Sequence, residues 1–199
     1  AQQEGTGYVQ TTTRKGLRWS TASGYLRGAA KKHIDLKLNS MVGKIDLDGK
    51  RATGVQWTDK SGSHQAKARR EIILSGGTFN SPQLLQISGI GPEALLKKHG
   101  IAVQHELTGV GENLQYHFGI GAEYRSTVHS TVNDLYNNKL KGGLQLLRHL
   151  LFRTGPFADN GNYSNTFIRS GPEIDRPDMM VTFMAWCTDE QLKPHPFSG

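Results

Sequence analysis

The stretch "EIILSGGTFNSPQLLQISGIG", residues Glu71–Gly91, joins a short apolar run to two glycines, a Ser-Pro pair and a second apolar run that closes on Gly-Ile-Gly. The run "EIIL" is typical of a strand, and glycines directly after a strand let the backbone come close to a ligand or to another strand. Ser81 followed by Pro82 predicts a helix start, with Ser81 as N-cap and Pro82 at the first helical position. Gly89 predicts the end of that helix. The stretch therefore predicts a strand–turn–helix unit.

The segments before this unit predict a helix and an antiparallel meander. After a turn at 15–16, Ser20 or Thr21 is the expected N-cap of the helix. Apolar and polar residues then alternate over 34–47, and turn signals follow at 48–49 and 61–62.

The segments after the unit predict a change of architecture near residue 119. We expect residues 1–118 to form one α/β domain and residues 119–199 to begin a second. A polar loop is predicted over 129–143, and an amphipathic helix over 144–153 is expected to pack its leucines on its own domain rather than on an anionic membrane surface. Further predicted elements are a helix over 92–100 and strands over 101–107, 120–128, 166–170 and 178–186.

Composition and charge narrow the class of protein. The chain has 199 residues, a net charge of +7 and scattered Lys and Arg doublets, which favour a solvated surface over a nucleic-acid-binding arm. Cys187 is the single cysteine, so an intrachain disulfide is excluded, and its apolar neighbours predict a buried thiol. The sequence shows neither an apolar run long enough to cross a membrane nor a signal peptide, which predicts a cytoplasmic location.

The common catalytic and metal-binding motifs are missing from the sequence. There is no G-x-G-x-x-G after a strand, no phosphate loop, no H-E-x-x-H, no paired cysteine motif and no G-x-S-x-G. The eight histidines are dispersed, so we predict no metal site.

The segment "GTFNSPQLLQISGIG", residues 77–91, nevertheless resembles a signature of the glucose-methanol-choline (GMC) flavin oxidoreductases throughout its length. Three further segments resemble other parts of that family in the same order. They are "GLRWSTASGYLRGAAKKH" (16–33), "LKLNSMVGKIDLDGKRATGVQW" (36–57) and "LTGVGENLQYH" (107–117). A further segment, "ADNGNYSNTFIRS" (158–170), resembles choline-oxidising members, so the resemblance covers nearly the whole chain.

The resemblance implies a fold, a cofactor and site residues. It implies that 1–118 is part of a Rossmann-like FAD-binding domain and that 119–199 begins a substrate domain built on an antiparallel sheet. It places Gly76 and Gly77 beside the adenosine half of FAD, and Val42 against the adenine through its backbone amide and carbonyl. Choline-oxidising members have a glutamate where this chain has Tyr163, so an uncharged primary alcohol is the implied substrate.

Three departures from the family pattern limit what is carried over. The glycine loop for the FAD pyrophosphate and the catalytic histidine motif are both missing, so no catalytic residue is assigned. Tyr116 stands where the family has an aspartate. The chain resembles the middle of a longer protein, which predicts self-association through surface that the rest would cover.

The implied function is therefore that of an FAD-dependent oxidoreductase acting on the CH–OH group of an alcohol. Two alternatives stay open, and they belong to different classes. The first is a folded, non-catalytic fragment that binds no flavin. The second, weaker alternative is a basic nucleic-acid-binding module, which predicts strongly salt-dependent binding.

Overall fold

The computed structural model describes residues 3–189, 191 and 193–196, and it combines helices with small, mainly antiparallel sheets. The predicted mixed α/β class is confirmed. The described residues form two compact units, which are Asp35–Gly119 and the described part of Ala1–Ile34 with Ile120–Gly199.

Strands and helices are both present among the described residues, and several strands follow one another directly along the chain. The strands are β1 (Gly5–Tyr8), β2 (Thr13–Arg14), β3 (Leu17–Arg18), β4 (Met41–Asp48), β5 (Arg51–Asp59), β6 (Gly62–Lys67), β7 (Ile90–Gly91), β8 (His105–Glu106), β9 (Asn162–Ile168) and β10 (Met179–Met184). The α-helices are α1 (Thr21–Tyr25), α2 (Gly77–Ile87), α3 (Glu93–Lys98), α4 (Val132–Asn137) and α5 (Lys139–Phe152). Short 3-10 helices cover Gly28–His33 and Pro156–Ala158.

A three-stranded antiparallel sheet, in the order β4-β5-β6, forms the first part of the unit Asp35–Gly119. Both predicted turns are confirmed, because β4 meets β5 through Gly49 at φ +56° and β5 meets β6 through 60–61. Ile45 on β4 is 4% exposed and belongs to the core of this unit. The Asp46 carboxylate accepts hydrogen bonds from the side-chain amides of Gln56 (2.6 Å) and Gln65 (2.9 Å), which links all three strands.

Helix α2 begins earlier than the sequence predicted. Its first residue is Gly77, so Ser81 is not the N-cap and Pro82 lies inside the helix. Ser81 Oγ instead accepts a hydrogen bond from the Gly76 N–H at 3.0 Å, and this bond holds the turn that precedes the helix. The predicted end is confirmed, since Gly89 follows α2 in the left-handed region at φ +89°.

Three predicted strands are absent from the described structure. Residues 71–74, 34–38 and 120–128 are irregular there, and only two residues of 101–107, those of β8, pair with a neighbour. A strand needs a second strand for its backbone hydrogen bonds, and apolar alternation alone supplies none. The predicted alternation over 34–38 accordingly leaves Leu36 and Leu38 exposed.

The other unit contains the antiparallel sheet β1-β9-β10, which confirms the predicted strands β9 and β10. The N-cap predicted at Ser20 is also confirmed, because its hydroxyl accepts from the Ser23 N–H. The loop predicted over 129–143 is wrong. Thr131 and Asp134 form a capping box that starts α4, and the Val132 N–H donates to the Ala185 carbonyl at 2.9 Å.

Helix α5 confirms the predicted helix but not its predicted packing. Its leucine stripe is exposed to solvent in the described structure, with exposed fractions of 51–76%. The stripe consists of Leu140, Leu144, Leu147 and Leu151. Gly142 of this helix packs against the Leu135 carbonyl instead, and a side chain at Gly142 would collide with the Leu135 backbone. Helix spacing predicted the stripe correctly, but it could not predict which face of the helix the unit covers.

Candidate functional site

The glycine pair before α2 gives the helix N-terminus an open approach. Gly77 has φ +85°, and a Cβ built on it would meet no described atom within 4 Å. At Gly76 a Cβ would lie 3.2 Å from Asn80 Cβ, so that side of the turn is closed. The first N–H groups of an α-helix have no acceptor within the helix and carry partial positive charge. The Gly77 side of α2 can therefore receive a ligand directly against its backbone.

Val42 lies on the edge strand β4 of the same unit. It pairs with Trp57 on β5, next to a register shift between Val42 and Lys44, and among the described residues the other side of β4 has no partner strand in its sheet. The backbone N–H and C=O groups on that side of β4 can thus form hydrogen bonds with a side chain or a ligand. Ile45 shows this, because its N–H donates to Ser88 Oγ at 2.9 Å.

Ser88 joins the C-terminal end of α2 to β4. Its hydroxyl accepts from the Ile45 N–H and donates to the Leu84 carbonyl at 2.7 Å, and the residue is 4% exposed. The structure thus brings the signature helix and the strand of Val42 together in one unit. Ser88 therefore acts as framework and not as a reactive group.

A cavity of about 490 Å³ lies between α2 and the segment that follows β8. Gln86 lines this cavity, and its side-chain amide donates to the Val110 carbonyl at 3.0 Å. Gly111 sits against Gln86 with φ +87°, and a Cβ there would lie 2.6 Å from Gln86 Nε2. The lining residues are Thr78, Phe79, Pro82, Gln83, Gln86, Gly111, Glu112, Asn113, Leu114 and Gln115.

This cavity unites two segments that lie apart in the sequence. The signature 77–91 supplies one wall, and the turn within 107–117 supplies the other. The sequence did not identify Gln86 or Gly111 as site residues. The Gly-Val-Gly run at 109–111 was a usable signal, because glycines are typical of places where the backbone lies close to another group. The run does not show which group that is.

The predicted site residues lie outside the lining of this cavity. Val42, Gly76 and Gly77 belong to the same unit as the cavity, whereas Tyr163 lies on β9 in the other unit. The Tyr163 ring is half-buried and its centroid lies 6.5 Å from that of Phe183. Its carbonyl accepts from the Val9 N–H at 3.1 Å, which fixes the backbone at this position. The ligand roles of all four residues stay predictions.

The chemistry around α2 suits the neutral half of a dinucleotide better than its phosphates. Phe79 and Leu114 line the cavity and offer apolar contact to a planar base, and Gly77, which precedes the lining residue Thr78, adds open backbone. Glu112 adds a carboxylate to the cavity wall, which disfavours an anion. The residues present therefore fit the adenosine part of FAD.

A Ser-His-Asp group on the β5–β6 turn does not have the geometry of a catalytic triad. Ser61 Oγ and His64 Nε2 both contact Asp59 Oδ1, at 2.6 and 2.9 Å, so the same imidazole nitrogen faces the acid and the hydroxyl. A relay needs the two ring nitrogens on different partners. Hydrogen bonds from Ser61 and then His64 lower the pKa of Asp59 to about 2, which marks a turn-stabilising carboxylate.

The chain matches known proteins over most of its length. The profile of the GMC oxidoreductase family matches residues 1–119. An oxygen-dependent choline dehydrogenase of Brucella anthropi is 39% identical over 184 residues, which cover 92% of this chain and 33% of that protein. An alcohol dehydrogenase (acceptor) of Pseudomonas putida is 34% identical over 187 residues, covering 92% of this chain and 34% of that protein.

Solved structures show the same fold. The crystal structure of a formate oxidase superposes with a TM-score of 0.71 at 23% identity, covering 83% of this chain and 29% of that one. An FAD-dependent oxidoreductase from Chaetomium thermophilum superposes with a TM-score of 0.55 at 30% identity, covering 65% of this chain and 23% of that one. The fold is thus that of a flavoprotein oxidoreductase.

The chain belongs to the GMC oxidoreductase family, as the resemblance of its signature segments predicted. It spans about a third of the length of the curated relatives that it matches. The family match and the FAD-dependent neighbour indicate FAD as the cofactor, in agreement with the sequence-based prediction. No helix among the described residues has the length and apolar character needed to cross a membrane.

Proposed function

We propose that this chain belongs to an FAD-dependent oxidoreductase that oxidises the CH–OH group of an alcohol, and that it holds the adenosine half of the cofactor. The observation that carries the proposal is the open left-handed Gly77 at the start of α2, in a chain whose family match covers that segment. When bound, FAD accepts the hydride that an alcohol carbon loses on oxidation. The activity belongs to a protein of which this chain is the cofactor-binding and early substrate-domain part.

The residues of the chain would bind and orient the cofactor rather than move protons. Gly76 and Gly77 would place the backbone of α2 against the adenosine, and β4 would offer the Val42 amide and carbonyl to the adenine edge. Backbone recognition explains why an ordinary valine serves at this position. No histidine of the chain is assigned as a base.

Tyr163 would face the substrate, and we propose an uncharged primary alcohol. The similar proteins include a choline dehydrogenase and an alcohol dehydrogenase, so the family accepts both charged and uncharged alcohols. A quaternary ammonium is best held by a carboxylate or by an aromatic cage. Among the described residues Tyr163 has one aromatic neighbour, Phe183, and this pair gives a tilted stack rather than a cage.

A cytoplasmic location and self-association stay predictions.

The test is flavin retention followed by flavin reduction. The chain is mixed with FAD and desalted, and the visible flavin absorption that elutes with protein is recorded. We expect retained flavin in the natural chain and a loss of at least about tenfold in affinity in Gly77→Val, whose side chain fills the open approach at an unfavourable φ. Lys60→Val, on the exposed β5–β6 turn, is the control and should retain flavin like the natural chain.

Reduction of the flavin by an alcohol then separates the hypotheses. Substrate oxidation is tested on the longer protein that contains this chain, because the chain alone is expected to be inactive. In that protein, bleaching of the flavin under anaerobic conditions by an uncharged primary alcohol but not by choline would support the proposed substrate, and bleaching by no alcohol would contradict the proposed activity. Flavin retained by this chain alone would show that it binds the cofactor without the glycine loop, whatever the substrate. Colourless protein would support the alternative of a folded fragment that binds no flavin.

A further inference from the structure

A second group of chemically active side chains lies in the unit that contains β9 and β10. Glu123, Cys187 and His195 each offer one donor atom, and these three atoms lie within 4.8 Å of one another. His195 Nε2 and Glu123 Oε2 are 3.3 Å apart. Cys187 is buried at 8% exposure, and its thiol is the only one in the chain. The Glu123 carboxylate thus lies beside a thiol and an imidazole that come from a distant part of the sequence.

The side chain of Asn133 holds the segments of Cys187 and His195 in place. It is 1% exposed, and its side-chain amide donates to the carbonyls of Cys187 (2.8 Å) and His195 (3.1 Å). Its side-chain oxygen accepts from the Cys187 N–H at 3.1 Å. The His195 N–H also donates to the Cys187 carbonyl at 3.2 Å. The same amide also contacts the Cys187 sulfur at 4.0 Å, and His195 Nε2 faces Glu123, so Asn133 positions both donor-bearing residues at the cluster.

We propose that Glu123, Cys187 and His195 form a binding site for a zinc-class transition-metal ion. Zn²⁺ takes sulfur, nitrogen and oxygen ligands at roughly 2.0–2.3 Å in tetrahedral geometry, which places donor atoms about 3.5 Å apart. The Glu123–His195 pair already has that spacing, and Glu123 is exposed enough to adjust toward the buried thiol. The mixed donor set disfavours Ca²⁺ and Mg²⁺, which prefer oxygen alone.

Binding would convert the Cys187 thiol to a thiolate and release its proton to solvent. Three protein ligands leave a fourth tetrahedral position for water or another donor. The ion would connect the segment around Glu123, which forms no helix or strand in the described structure, to the segments that Asn133 fastens together. The site is independent of flavin, so its test does not depend on the proposed function.

Co²⁺ is the most specific probe of this site, because the chain has a single cysteine and a thiolate-to-cobalt signal can therefore come only from Cys187. The chain, reduced with a phosphine and freed of metal, is titrated with Co²⁺. We expect a thiolate-to-cobalt charge-transfer band in the near ultraviolet, visible bands typical of tetrahedral Co²⁺, and loss of both on addition of Zn²⁺. Cys187→Ser should abolish the charge-transfer band. His195→Gln and Glu123→Gln should each weaken Co²⁺ binding by at least about tenfold.

The control is His99→Gln, an exposed histidine in the unit Asp35–Gly119, which should bind Co²⁺ like the natural chain. Circular dichroism checks that each variant is folded. If Cys187→Ser does not fold, the His195 and Glu123 variants still decide the question. The proposal is overturned if Co²⁺ gives no charge-transfer band, or if the band and its affinity are the same in His195→Gln and Glu123→Gln as in the natural chain.

Discussion

The two candidate sites differ in what they are made of. The site at α2 is built from backbone: a left-handed glycine, the edge of β4 and a close approach at Gly111. The cluster of Glu123, Cys187 and His195 is built from side chains fixed by one buried amide. A backbone site is damaged by adding atoms, whereas a side-chain site is damaged by removing them. Each kind of site therefore calls for its own kind of substitution.

The largest effect is expected from a methyl group added at Gly89, which ends α2. A Cβ there would lie 2.5 Å from the Ala102 carbonyl oxygen and 2.7 Å from Gln104 Cγ, at φ +89°. Gly89→Ala should lower the free energy of unfolding by about 3–4 kcal/mol, combining left-handed strain with overpacking. Urea unfolding followed by circular dichroism measures the change.

Gly77→Ala is the matched control for this prediction. Gly77 has nearly the same φ, +85°, but no described atom lies within 4 Å of its Cβ position. It should therefore cost only the backbone strain, about 1–2 kcal/mol. Equal losses in the two variants would mean that close packing at Gly89 contributes nothing.

The next largest effect is expected from removing the amide that organises the side-chain cluster. Asn133→Ala leaves the Cys187 N–H and two carbonyls without this partner in a buried place, which should cost about 2–3 kcal/mol of unfolding free energy. Asn137→Ala is the control, because Asn137 also donates to the His195 carbonyl, at 2.8 Å, but from an exposed position. It should change stability by no more than about 0.5 kcal/mol. A loss at Asn137 as large as that at Asn133 would contradict the assigned role.

The backbone features were largely predictable from sequence because glycine, capping residues and turn pairs act locally. Gly89, the cap at Ser20 and the turns of the β4-β5-β6 meander lie where their local chemistry places them. The errors at 71–74 and 120–128 arise because a strand depends on a partner that sequence alternation does not name. The start of α2 was misplaced because Ser81 caps the preceding turn through the Gly76 N–H rather than the helix itself.

The side-chain cluster was not predictable, because Glu123 is far in the chain from Cys187 and His195. Glu123 and Cys187 are separated by most of the unit, and they meet only through tertiary folding. Asn133 lies in a segment whose composition is typical of a loop. Its placement depends on the capping box that starts α4. The spacing of Thr131 and Asp134 is typical of such a box, but the polar composition of the segment favoured a loop. The burial of Cys187 was predicted correctly from its apolar neighbours.

The smallest predicted effect is the loss of stability in acid that comes from one solvent-accessible carboxylate in each unit. Hydrogen bonds from Ser61 lower the pKa of Asp59 from its ordinary 3.8 to about 2, and those from Ser170 lower the pKa of Asp178. At a pH below the ordinary pKa and above the folded-state pKa, each carboxylate is mostly protonated in the unfolded chain and mostly ionised in the folded chain. The stabilisation from each group is therefore complete above about pH 4 and is lost as the pH falls through the folded-state pKa.

The difference in melting temperature between the natural chain and Asp59→Asn should accordingly shrink between pH 4 and pH 2, and Asp178→Asn should behave in the same sense. Both carboxylates are solvent-accessible, so we expect shifts small beside those of the glycine and asparagine variants. NMR titration of the two carboxyl carbons measures the pKa values directly. An Asp59 that titrates near 3.8 would mean that the Ser61 and His64 contacts do not hold the turn in solution.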